Sequence, residues 1–61
     1  MSIPKDPYIL LSFINTKLRD EYADLDELCS GLEVDCSHLK SVLSSIDYKY
    51  SKNLNRFTPT V

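Results

Sequence analysis

Glycine is nearly absent from this chain: Gly31 is the only one among 61 residues. A loop that cradles phosphate needs several glycines so that its amides can approach the anion, so phosphate cradling by a glycine-rich loop is excluded. Cysteine is scarce too, at Cys29 and Cys36. Two thiols are too few for a disulfide framework, and they are expected to stay reduced in the cytoplasm. No apolar run approaches the roughly 20 residues of a membrane span, and residues 1–7 lack the charged and then apolar order of a signal peptide. A cytoplasmic chain with no membrane partner is expected. Positive charge is not in excess either, since 7 Lys and Arg against 9 Asp and Glu leave a net charge of -2. No global field draws such a chain to nucleic acid.

What is present is an ordinary globular composition, 43% hydrophobic and 26% charged. The length predicts a single small domain over residues 1–61, with residues 1–5 and 58–61 as frayed ends. A chain this short rarely encloses the about 300 Å³ that desolvating a substrate requires, so no enzyme is expected. The charges are unevenly placed along the chain. Every charged residue from Asp20 to Asp35 is acidic, whereas beyond Asp35 the charges are Lys40, Lys49, Lys52 and Arg56 against Asp47 alone. This split suggests head-to-tail contact or one weakly basic face, set against the plainer reading of solvated helix surfaces.

Asp6-Pro7 is a helix start, an acceptor for free amides followed by a residue with no amide to lose. Leu11, Ile14, Leu18 and Tyr22 recur at helical spacing, widened by Ile9, Leu10 and Phe13, and predict a helix over residues 7 to 20. Asp24 with Glu27 forms a capping-box pattern that opens a second helix at Leu25, about two turns long, with Leu25, Leu28, Cys29 and Leu32 inward. After a break at Glu33-Val34-Asp35, a third helix is predicted from residue 36 to about 46. It turns Leu39, Val42, Leu43 and Ile46 inward and leaves Ser37, His38, Lys40, Ser41, Ser44 and Ser45 outside. Beyond Asp47 the period falls to two. Tyr48 and Tyr50 flank Lys49, and a small hairpin or an extended tail closes the core with Tyr48, Tyr50, Leu54 and Phe57. The fold class is therefore mainly α: a three-helix core plus an extended or small β-hairpin C-terminal segment.

The apolar spacing from Leu25 to Leu43 resembles a helix-turn-helix. Cys29 takes the small-residue place where the helices approach, and Val34 the apolar place after the turn. Glu33 departs from the usual glycine, at a position that often needs a positive φ. As a DNA reader the third helix would offer His38, Lys40 and serines, flanked by Lys49, Lys52 and Arg56, too few cations for more than weak binding.

No catalytic, cofactor or metal site is expected. Cys29, Cys36 and His38 fall short of the four ligands of a closed zinc site, and Cys29 is claimed by the core. Cys36 and His38, two apart on a helix, point away from each other. Cys36 at a helix start invites a mildly reactive thiol, against the plainer reading of a semi-buried one.

The runs Ile3-Pro4-Lys5-Asp6-Pro7-Tyr8, Leu10-Leu11-Ser12, Lys17-Leu18-Arg19-Asp20, Leu25-Asp26-Glu27-Leu28-Cys29, Tyr48-Lys49-Tyr50 and Asn53-Leu54-Asn55-Arg56-Phe57, with Asn15, resemble a group of short bacterial proteins known only as a domain of unknown function. The resemblance covers residues 3 to 57. It implies a bacterial, cytoplasmic, stand-alone protein and brings no activity with it.

The expected function is protein-protein interaction or self-association, with an unknown protein or a second copy as partner. A weak DNA-binding or transcription-accessory role is the alternative. Candidate contact residues are Ser37, His38, Lys40, Ser41, Ser44 and Ser45 on the third helix, Lys52 and Arg56 beyond it, and Asn15 and Arg19 on the first helix. Asn15 and Arg19 have a second, structural reading, in which Arg19 pairs with an acidic side chain and Asn15 holds the C-terminal segment on the core.

Overall fold

Asp6 starts the first helix, α1 (Pro7–Asp20), in the computed structural model, which describes residues 3–60. Its carboxylate accepts from the Tyr8 amide at 2.9 Å and the Ile9 amide at 3.2 Å. The buried positions of α1 are Leu10, Ile14 and Leu18. The inward line therefore runs through Leu10 rather than Leu11, with Leu11, Phe13 and Tyr22 half-buried beside it and Ile9 exposed. The shift follows from α1 being covered on two sides, by the other helices and by the C-terminal segment.

The second helix, α2 (Leu25–Leu32), is capped by the Asp24 carboxylate on the Glu27 amide, and its buried face is the expected Leu25, Leu28, Cys29 and Leu32. Gly31 lies in its last turn because the Tyr22 ring passes over it. A Cβ there would sit 2.6 Å from the ring. Glu33 ends the helix at φ 56. The Glu33 amide bonds the Ser30 carbonyl and the Val34 amide bonds the Cys29 carbonyl, the paired closure that normally selects glycine.

The third helix, α3 (Cys36–Ser44), is capped by the Asp35 carboxylate on the Ser37 and His38 amides. It stops two residues short of the expected end. The amides of Ile46 and Asp47 reach back only three residues, the Ser45 hydroxyl takes the Val42 carbonyl, and Asp47 adopts φ 62, which turns the chain out of the helix.

The remainder is a hairpin, not an unpaired tail. Strand β1 (Tyr48–Ser51) pairs antiparallel with β2 (Arg56–Pro59), placing Tyr48 opposite Pro59 and Tyr50 opposite Phe57. Thr58 and Pro59, assigned from the sequence to a frayed end, thus belong to a strand, and the Thr60 amide donates to the Asp47 carbonyl. At the other terminus Ile3 packs half-buried against the core; residues 1, 2 and 61 lie outside the described part. Phe57 is the hairpin's fully buried residue and meets the Tyr50 ring at 5.7 Å. Leu54, expected in the core, is 57% exposed because it stands in the turn between the strands. Helices α1, α2 and α3 and Phe57 share one apolar cluster. No helix among the described residues is long and apolar enough to cross a membrane.

Candidate functional site

The two edges of the hairpin carry the same kind of backbone groups but meet different surroundings. In an antiparallel ladder, residues alternate between pairs that exchange both backbone bonds and pairs whose amides and carbonyls point outward. The Thr60 to Asp47 bond fixes that alternation. Lys49 with Thr58 and Ser51 with Arg56 are then the bonded pairs, and Tyr48, Tyr50, Phe57 and Pro59 turn their backbone groups outward. A second observation agrees: the Phe57 amide and carbonyl bond the side chain of Asn15, so they point away from β1.

The β2 edge, which faces α1, is closed. Asn15 accepts from the Phe57 amide at 2.8 Å and donates to its carbonyl at 3.2 Å, as a neighbouring strand would. Pro59 has no amide to offer. Asn55, at φ 51 in the turn, donates to the Leu18 and Tyr22 carbonyls at the end of α1 and accepts from the Tyr50 hydroxyl. The two asparagines fasten the hairpin to α1.

The β1 edge is open. Among the described residues, no backbone or side-chain group bonds the outward amides and carbonyls of Tyr48 and Tyr50. A groove of about 370 Å³ runs beside them, walled by Lys40 and Ser44 of α3 and by Tyr48, Lys49 and Tyr50, with Phe57 of β2 at its floor. A second groove, of about 410 Å³, shares Lys40 and Tyr50 and continues to Lys52, Asp24 and Asp26. None of Lys40, Lys49 and Lys52 forms an ion pair among the described residues, where the ion pairs are Lys17 with Glu21 and Arg19 with Asp20. The fold therefore places basic residues of the C-terminal half beside the acidic residues at the start of α2. The charge separation read along the sequence is not a separation in space.

The candidate residues fall into three groups. Lys40, Ser44 and Lys52 line the open edge. Ser37, His38, Ser41 and Ser45 are exposed along α3 and its end. Asn15, Arg19 and Arg56 border a further groove, of about 620 Å³, between α1 and the hairpin turn. Three of its polar side chains are committed, Asn15 to Phe57, Asn55 to the carbonyls at the end of α1 and Arg19 to both carboxylate oxygens of Asp20 at 2.9 Å. The structural reading of Asn15 and Arg19 thus holds, although the Arg19 pair is between neighbours on an exposed surface and adds little. That contact raises the Arg19 guanidinium and lowers the Asp20 carboxyl from their ordinary values. Lys49 had been weighed only as a cation flanking a DNA-reading helix, and the role of Asn55 was missed by sequence reasoning. Asn55 had one signal, asparagine being among the few non-glycine residues at ease at positive φ.

Carboxylates gather around the start of α3: Asp35 caps it, and Glu33 is exposed two residues before. Across the same junction, Cys29 and Cys36 lie side by side. Burial, reinforced by the neighbouring Cys36 thiol, pushes the Cys29 thiol up to about 12, so Cys29 stays protonated and acts as a small apolar residue.

Residues 4–57 match the family model of DUF4250, a domain of unknown function. The chain belongs to this family. No curated protein and no solved structure matches it. The DUF4250 match spans both strands as far as Phe57 together with the Asn15 and Asn55 that hold them. It therefore covers α3, β1 and the first half of β2, and stops before Thr58 and Pro59.

Proposed function

We propose that this DUF4250 protein is a non-enzymatic protein-interaction module of the cytoplasm, and that it docks partners along the β1 edge and the adjoining side of α3. The observation that carries this reading is the contrast between the edges. Exposed strand edges are templates for pairing with another chain, and proteins commonly blunt them with proline, a covering side chain or charge. Here Pro59 and Asn15 blunt β2, while Tyr48 and Tyr50 keep their backbone groups free next to a groove. Small serines on α3 support the same reading, because Ser44 leaves room between helix and strand where a longer side chain would fill it.

The DNA-binding alternative draws less support. The helix-turn-helix reading would bring the start of α3 toward phosphates, and Glu33 and Asp35 stand there. Selection of a displayed library of random peptides on the purified protein tests the proposal. Enrichment of a peptide consensus over an unrelated control protein is expected. Recovery of no consensus from such a library would overturn it.

A further inference from the structure

Resting on that interaction reading, we infer that the partner of the β1 edge is an extended acidic peptide segment, which joins the hairpin as a third strand through the outward amides and carbonyls of Tyr48 and Tyr50. Strand addition of this kind draws its affinity from main-chain bonds and its selectivity from the side chains along the edge. The main-chain part is present twice, at Tyr48 and at Tyr50, one full ladder repeat apart. The space is present as well, since the two grooves share Lys40 and Tyr50 and follow the strand along its length.

Charge selects the occupant. Lys40 stands on the helix wall, Lys49 on the strand and Lys52 just past its end, all three exposed and none held in an ion pair among the described residues. Carboxylates on an incoming strand would meet these ammonium groups at close range. At the far end Asp24 and Asp26 line the continuation, and the Asp24 carboxylate already accepts from the Glu27 amide. Acidic side chains therefore fit best over the stretch from Ser44 to Lys40. A second copy is disfavoured by the same charges, because edge-to-edge pairing of two β1 strands would bring two sets of lysines together. Single-stranded nucleic acid would find the lysines but would leave the four outward backbone groups without the regular partners a strand supplies.

The experiment uses the full chain and three probes: an end-blocked eight-residue peptide alternating glutamate and valine, the same peptide with lysine for glutamate, and an eight-nucleotide oligothymidine. Amide hydrogen exchange and amide shifts are followed by NMR. The glutamate peptide is expected to slow exchange at Tyr48 and Tyr50 by about tenfold or more at saturation, with binding that weakens as salt is raised. Lys40→Glu with Lys49→Glu is expected to weaken that binding about tenfold while leaving the spectrum of a folded chain. Should the double variant fail to fold, the protection pattern in the unmodified chain decides alone.

Equal binding of the lysine peptide would overturn the charge assignment, and tighter binding of the oligonucleotide would overturn the choice of a peptide. Shifts confined to Asn15, Arg19 and Arg56 would place the partner in the other groove. The inferred edge would then be wrong, while a consensus from the display selection would still uphold an interaction module. Failure of the glutamate peptide to bind overturns the inference, whereas failure of the selection overturns the module reading itself.

Discussion

The β1 and β2 edges of one hairpin, a few residues apart, have opposite fates. On β2, an asparagine from α1 stands in for a missing strand and a proline removes an amide, so the edge is finished inside the chain. On β1, the facing helix offers a lysine and a serine at the groove and supplies no partner for the outward backbone groups. The difference teaches that an edge is closed by specific side chains and not by mere proximity of a helix. Both strands lie beside a helix, and only α1 carries the side chain that can complete the ladder.

Breaking the closed side should have the largest effect. Asn55→Ala removes the two bonds to the end of α1 and the Tyr50 hydroxyl contact, and puts alanine at a positive φ. A loss of about 3 kcal/mol is expected, enough to lower Tm by more than roughly 10 °C in a domain of this size. Asn55→Gly, which keeps the backbone conformation, should lose less, and thermal melts of the pair separate the two contributions. Asn15→Leu comes next. It leaves the Phe57 amide and carbonyl without partners at a half-buried site and should cost about 2 kcal/mol, with the loss concentrated in the hairpin when followed by hydrogen exchange.

A smaller effect of opposite sign is expected away from the hairpin. Glu33→Gly relieves a side chain held at φ 56 and should stabilise the junction between α2 and α3 by about 1 kcal/mol in chemical denaturation. The smallest effect belongs to the open edge itself. Lys40→Glu and Lys49→Glu alter exposed, unpaired groups and should change stability by no more than about 0.5 kcal/mol. If these substitutions destabilise the chain as much as Asn15→Leu, the lysines are structural and the two edges do not differ as described.

Much of the fold was legible in the sequence because its signals are local. Asp6, Asp24 and Asp35 mark three helix starts, and each caps its helix. The hold of Asn15 on the C-terminal segment was one of the two readings open to the polar side of α1, where Asn15 and Arg19 lie one turn apart. The early end of α3 was not, since it depends on Asp47 entering the left-handed region, which no periodicity reports. Leu54 was misplaced for a similar reason: the turn position that exposes it is set by Asn55 and not by hydrophobicity. The open edge was invisible to sequence reading. Outward backbone groups belong to the register of two strands and leave no trace in residue type, except where a proline such as Pro59 sits on one of them.

Native-state amide hydrogen exchange on the unbound chain measures the contrast between the edges directly, residue by residue. Phe57, bonded to Asn15, and Lys49, bonded within the ladder, should exchange slowly together. Tyr48 and Tyr50 should exchange faster by on the order of a hundredfold, although they alternate with Lys49 on the same strand. Protection of Tyr48 and Tyr50 equal to that of Phe57 would mean that the β1 edge is already closed, and would contradict its use as a docking edge.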